Sequence, residues 1–262
     1  MASSLIGGLI HNHYAASNIT VTDPDPEKLG QLEQQFSVNT HLDNTKAVET
    51  ADVIVLAVKP QVLHEVCESI KPLALKSRPL IISIAAGIRS TDIDRWLGNH
   101  HALVRCMPNT PALIQAGASG LYANTVTTEV QRDIAEQILG AAGITLWVNE
   151  ESQLDAVTAV SGSGPAYFFL LMEAMQQAGT KLGLSDEVAS LLARQTALGA
   201  ARMAIEGSDD PATLRAKVTS KGGTTAAAIA SFENSHFQQL VEQALTAARD
   251  RAVELADELG SH

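Results

Sequence analysis

Val53-Ile54-Val55-Leu56-Ala57-Val58 is apolar without alternation and runs straight into Lys59-Pro60. A strand with one wet face alternates, so an unbroken apolar run of this length predicts a strand covered on both faces. Pro60 then opens a helix over about 61–69, since a proline in the first helical turn loses no hydrogen bond. Leu80-Ile81-Ile82-Ser83-Ile84 repeats the strand pattern and leads into Ala85-Ala86-Gly87. Ala102–Cys106 is a third such strand, stopped by Pro108. Helical patterns over 90–97 and 128–140 lie between strands, with Ile19–Asp23 as an earlier strand and Gly143–Val148 as the last. Strands at this spacing with helices between them mean βαβ units, an α/β fold with a mostly parallel sheet.

Beyond residue 150 the strand patterns stop. Residues 163–182, 185–206 and 236–259 read as long helices, and 151–159, 211–217 and 224–232 as shorter ones. This half is rich in alanine, and helices poor in large side chains gain little by packing alone. An all-helical second domain that packs against another copy is expected, giving domains 1–149 and 150–262. The first residues, Met1–Ile10, already read as a helix, with Gly7-Gly8 as a close-packing feature. A doubly wound domain opens on a strand, so the sheet is expected to lack its usual first strand.

Composition narrows the function. Lys plus Arg is 18 against 29 for Asp plus Glu, a formal charge of −11, and no basic run offsets it. A phosphate backbone would be repelled, which argues against nucleic-acid binding. Cys67 and Cys106 belong to no paired spacing, so neither a disulfide framework nor a thiolate metal site is expected. The histidines, from His11 to His262, form no metal motif. No stretch reaches the length of a membrane span, and a cytoplasmic location is expected.

Ligands of open α/β sheets sit outside the carboxyl ends of the strands. Three such ends have small residues and fixed loops: Ala57-Val58-Lys59-Pro60, Ala85-Ala86-Gly87 and Met107-Pro108-Asn109-Thr110-Pro111. They suit a dinucleotide, or else are ordinary turns. Asp23 stands where a carboxylate would accept ribose hydroxyls, or it forms an Asx-turn ahead of Pro24. With Lys28 one helical turn away, the phosphorylation state of the dinucleotide stays open. Ser161-Gly162-Ser163-Gly164-Pro165 reads as a helix start, not as a serine nucleophile elbow. Ser220-Lys221-Gly222-Gly223-Thr224-Thr225 precedes an alanine-rich helix; it gives either an anion site of free N–H groups or a tight turn with a cap. The lack of an obvious base or metal favours a reaction that needs positioning, such as hydride transfer.

Four stretches carry a resemblance: Asp52–Gln61, Arg105–Ala112, Val160–Tyr167 and Leu214–Ala228. In order and spacing they resemble the pyrroline-5-carboxylate reductase family over essentially the whole chain. The resemblance implies a Rossmann-like NAD(P)-binding domain followed by a helical dimerisation and substrate domain. It implies NADPH or NADH as cofactor, 1-pyrroline-5-carboxylate as substrate and L-proline as product, the last step of proline biosynthesis. Homodimers, also gathered into larger rings such as decamers, are implied as well. Asn44, Ala57, Val58, Lys59, Pro60, Ala85 and Asn109 would line the dinucleotide. Ser220, Gly222, Gly223, Thr224 and Thr225 would hold the substrate carboxylate, with the Thr225 hydroxyl, the catalytic group, near the ring nitrogen.

Two departures accompany it. The family opens on a strand leading into Gly-x-Gly-Asn-Met-Ala, whereas this chain begins at that Met-Ala, so the diphosphate-binding turn is expected to be missing and cofactor affinity weakened. Lys221 stands where the family commonly has proline, which should relax the loop modestly. Competing readings are a related imine reductase or β-hydroxyacid dehydrogenase, or a non-catalytic oligomeric scaffold. The dehydrogenase would want a Lys or Asp within 161–170, and none is there.

Overall fold

The computed structural model describes residues 1–260; His262 lies outside the described residues. By internal packing these fall into two units, Met1–Ser163 with the stretch from Ala247 onward, and Gly164–Thr246.

The first unit opens with helix α1 (Ala2–His11), then β1 (Thr20–Thr22), α2 (Pro26–Phe36), β2 (Asn39–His41) and α3 (Asn44–Val48). There follow β3 (Val53–Leu56), α4 (Pro60–Ser77), β4 (Leu80–Ser83), α5 (Ser90–Leu97) and β5 (Leu103–Met107). Strand β6 (Gly117–Ala123), α6 (Glu129–Gly140), β7 (Gly143–Trp147) and α7 (Gln153–Val157) complete it, α7 passing into one π turn at Thr158–Gly162. Strands β1 and β2 pair parallel in a small sheet, with Thr22 opposite His41. The main sheet has the order β3-β4-β5-β6-β7 and is parallel at every pairing except β5 with β6.

Alternate side chains of β4 enter different cores, which is what a sheet covered on both faces requires. Ile81 joins Leu63, Cys67 and Ile70 of α4 and Ile93 and Leu97 of α5. Ile82 joins Leu5 of α1 and Ala135 and Leu139 of α6. Leu63, Cys67, Ile70 and Ala74 recur every three or four residues, so α4 stays amphipathic beyond the expected 61–69 and carries on through Pro72. Pro72 is on the exposed face, where water can satisfy the carbonyl it strands. At Gly8 a Cβ would fall on the carbonyl oxygen of Ala141, so the Gly7-Gly8 pair does serve close packing.

One reading is borne out and one needs correction. β3 is covered on both faces, Ile54 and Leu56 packing on one core and Val53 and Val55 on the other, though at the end of the sheet order it stays half-buried along Val53–Val55. Strand β6 has no counterpart in the sequence reading. Its Gly117-Ala118-Ser119-Gly120 start has little strand propensity. Those glycines are dictated by neighbours instead: Gly117 lies against Gly143, and Gly120 beneath Val157.

The second unit is helical: α8 (Gly164–Lys181), α9 (Asp186–Glu206), α10 (Pro211–Lys217), α11 (Thr224–Asn234) and the start of α12 (Phe237–Gly260). Helices α8 and α9 pack together, with Gly179 against Ala189 and Gly183 turning the chain at φ +102°. Ser185 and Asp210 cap α9 and α10. Phe168 (63% exposed), Phe169, Leu170, Leu191, Leu192 and Ile205 stand open to solvent. That is the surface of a unit built to be covered. Among the described residues no helix is long and apolar enough to cross a membrane, and no side-chain group could hold a metal ion.

Candidate functional site

Strands β3, β4 and β5 run parallel, so their carboxyl ends share one edge. The loops there carry Ala57–Pro60, Ala85–Gly87 and Pro108–Asn109, and the Ile84 N–H donates to the Leu56 carbonyl to hold the first two together. Ala57 and Ala86 are exposed, Val58 and Pro60 half-buried, and Ala85 buried. Lys59 precedes α4 in extended conformation, exposed and with no ion pair among the described residues. Asn44 opens α3, where its Oδ1 accepts from Thr22 Oγ1 at 2.6 Å and so ties α3 to the end of β1.

Asn109 is engaged on both sides of its amide. Nδ2 donates to Ser161 Oγ at 3.1 Å and faces the Ser161 carbonyl at 3.3 Å, while Oδ1 accepts from the Ala118 N–H at 2.9 Å. Ser161 Oγ donates in turn to the Ala118 carbonyl at 3.0 Å. This small network fastens the Pro108-Asn109 loop to β6 and to the π turn, an irregularity common at functional sites. The Asn109 side chain thus holds this loop in place through both Nδ2 and Oδ1.

The residues fit a dinucleotide by their chemistry: two exposed alanines leave room for flat rings, Asn44 keeps amide donors, and Lys59 supplies a cation. Asp23 is an Asx-turn in the structure, with its Oδ1 accepting from the Asp25 N–H at 2.9 Å.

In the helical unit Ser220, Lys221, Gly222 and Gly223 form one turn. The Gly223 N–H donates to the Ser220 carbonyl at 3.0 Å and Gly222 takes φ +73°, the pattern of a type II turn with glycine at its third position. A Cβ on Gly223 would sit 2.6 Å from Ser220 Oγ and 3.2 Å from the Ser220 carbonyl oxygen, so a side chain there would have to turn the serine aside. Gly223 caps α11 with no side chain. The first intrahelical bond closes at Ala227, which leaves the N–H groups of Thr224, Thr225 and Ala226 pointing out of the helix end. Thr225 is half-buried; Ser220, Gly222 and Thr224 are exposed.

One cluster escaped the sequence reading. Glu151 Oε1 accepts from the Ser90 N–H at 2.6 Å and from Arg105 Nη1 at 2.8 Å, and Oε2 accepts from Ser90 Oγ at 2.7 Å. It caps α5 from 61 residues away, a pairing no local pattern announces. Nearby, burial lifts the Asp155 carboxyl above its ordinary range, against the pull of Arg105 and Arg89. Both thiols are buried, and desolvation pushes Cys67 and Cys106 up to about 12, so neither is a nucleophile at neutral pH.

Comparison with known proteins agrees with this layout. Residues 151–255 match the family described as pyrroline-5-carboxylate reductase dimerisation, and residues 1–87 match NADP oxidoreductase coenzyme F420-dependent. A pyrroline-5-carboxylate reductase of Pseudomonas aeruginosa is 55% identical over 99% of this chain and 95% of its own length. One from Haemophilus influenzae is 45% identical over 97% and 94%. The solved pyrroline-5-carboxylate reductase of Coxiella burnetii superposes with a TM-score of 0.94 at 45% identity, covering 97% of this chain and 94% of that one. The Plasmodium falciparum structure, with NADP bound, gives 0.83 at 29% identity over 97% and 94%. With the parallel-strand edge, the helical unit and these likenesses running the length of the chain, it belongs to the pyrroline-5-carboxylate reductase family.

Proposed function

We propose that this chain reduces the C=N bond of 1-pyrroline-5-carboxylate to L-proline with NADPH or NADH, the last step of proline biosynthesis. The observation that carries the reading is the Ser220–Gly223 turn delivering free N–H groups at the start of α11. Oriented N–H groups and the positive end of a helix hold a carboxylate without further charge. Lys221 adds a cation beside them in place of a rigid proline.

Bound nicotinamide supplies the hydride. The chain's part is alignment, because a protonated imine carbon is already electrophilic. Ser220, Gly222, Gly223 and Thr224 fix the carboxylate, and the Thr225 hydroxyl orients the ring nitrogen and links its proton to solvent. Asn44, Ala57, Val58, Lys59, Pro60, Ala85 and Asn109 line the dinucleotide.

Residues 1–149 are the dinucleotide-binding domain and 150–262 the helical one. The open apolar faces of α8 and α9 support a homodimer, with decameric rings as the larger assembly. Two buried, unpaired thiols accord with a cytoplasmic location.

The test is consumption of NADPH and NADH with racemic 1-pyrroline-5-carboxylate, followed by near-ultraviolet absorbance and by recovery of proline. Turnover with proline formed is expected; a folded protein that forms no proline with either nucleotide refutes the reading.

A further inference from the structure

The carboxyl end of the small β1–β2 sheet is the part of the dinucleotide domain that faces an adenosine ribose in folds of this plan. A 2′-phosphate there needs unpaired cations or free N–H groups. Among the described residues the helix N-termini here and the cation beside β1 are engaged by carboxylates. Asp25 takes the N-terminus of α2 for itself, its Oδ1 accepting from the Glu27 N–H at 3.0 Å and facing the Lys28 N–H at 3.4 Å. Pro26 at the first position has no N–H to give. Asp43 does the same for α3, accepting from the Thr45 N–H at 2.9 Å and from its hydroxyl at 2.8 Å. Lys28 Nζ stands 3.8 Å from Asp23 Oδ1 and 3.6 Å from Asp25 Oδ2, so the cation nearest β1 is already shared by two carboxylates. Against Asp23, Asp25, Glu27 and Asp43 this segment carries the lysines Lys28 and Lys46, the latter close enough to Asp43 to act on its carboxylate. Asp23 Oδ2 remains as an acceptor for hydroxyl groups.

We infer that Asp23 and Asp25, with Lys28 held between them, select the dinucleotide without a 2′-phosphate, making this chain NADH-preferring. The inference rests on the dinucleotide-binding reading above and adds the discriminating residues to it. A carboxylate accepts from ribose hydroxyls and repels a phosphate dianion, so each charge acts on the difference between the two nucleotides.

The experiment is calorimetric titration of the full chain with NADH and NADPH, and with ADP-ribose and its 2′-phosphate to isolate the adenosine end. NADH should bind about tenfold or more tightly than NADPH, with the fragments ranked alike, as one unpaired charge beside a dianion would give. Asp23→Asn keeps an Asx-turn acceptor and Asp25→Ser keeps a helix cap, so both variants should retain the thermal midpoint. Each should move the NADPH-to-NADH affinity ratio toward NADPH by about tenfold. Equal binding, tighter NADPH, or a ratio that neither variant moves overturns the inference and leaves the reductase reading standing. Failure of both nucleotides to bind overturns both readings.

Discussion

Arg105 on β5 places Nη1 2.8 Å from Glu151 Oε1, joining the middle of the sheet to a residue two positions ahead of α7. Arg105 is 7% exposed, and Glu151 is the carboxylate that bonds its guanidinium directly, with Asp155 near enough to feel the same charge. Glu151→Ala should therefore cost about 3–5 kcal/mol, because it strands a buried guanidinium and uncaps α5. Glu151→Gln, which keeps the acceptor, should cost less. Chemical denaturation of the two variants decides; equal losses would mean that the charge is not what matters.

Thr225→Ala should lower kcat by about a hundredfold while leaving the fold intact, with Thr225→Ser restoring most of it. Steady-state kinetics beside circular dichroism checks this. Unchanged turnover in the alanine variant would remove Thr225 from the chemistry.

His101 is buried, and desolvation pulls its pKa below the ordinary value of 6.5, against the opposing influence of the Ala74 backbone and Asp94; Arg78 adds to the downward shift. The folded chain thus keeps this ring neutral where the unfolded chain would protonate it. The unfolded state binds more protons below about pH 6.5, so stability is full above that pH and falls as pH drops toward the folded pKa. In His101→Leu the acid-side slope of the unfolding midpoint should flatten. An identical slope in both proteins would assign the acid loss to other groups.

Two glycines should respond to alanine with opposite signs. At Gly8 the new carbon meets the Ala141 carbonyl, so Gly8→Ala should cost about 1–3 kcal/mol by overpacking. Gly30 lies inside α2 with nothing within 4 Å of a Cβ, so Gly30→Ala should gain about 0.5–1 kcal/mol through helix propensity. Thermal melts of the pair suffice; a destabilised Gly30→Ala would mean that this face of α2 is covered in solution.

What the sequence made legible follows from how local each signal is. β4 and α5 were readable because Leu80–Ser83 and Ser90–Leu97 carry their own pattern and are bounded by breakers. The Ser220–Gly223 turn was readable for the same reason, since two adjacent glycines before a hydroxyl pair leave few alternatives. β6 was not, because glycine and alanine are there to admit Gly143 and Val157, neighbours that only the folded chain supplies. The engagement of Asn109 with Ser161 and of Glu151 with Ser90 was hidden likewise, as each joins residues more than fifty positions apart. The half-exposure of β3 reflects sheet order, which an apolar run does not encode.

Helix α12 begins among the residues of one packing unit and ends within the other. In its last turns Leu255 and Leu259 close over Gly87, beside Ala85, and Arg89 pairs with Asp257 at 2.6 Å. The unit formed by Met1–Ser163 is therefore finished only by residues beyond Thr246, made after the whole helical stretch between them. At about 5–20 residues per second, the 164–246 stretch delays that closure by several seconds. Until then the sheet must wait half-built on the nascent chain, which makes this the interval in which a chaperone or a protease would meet it.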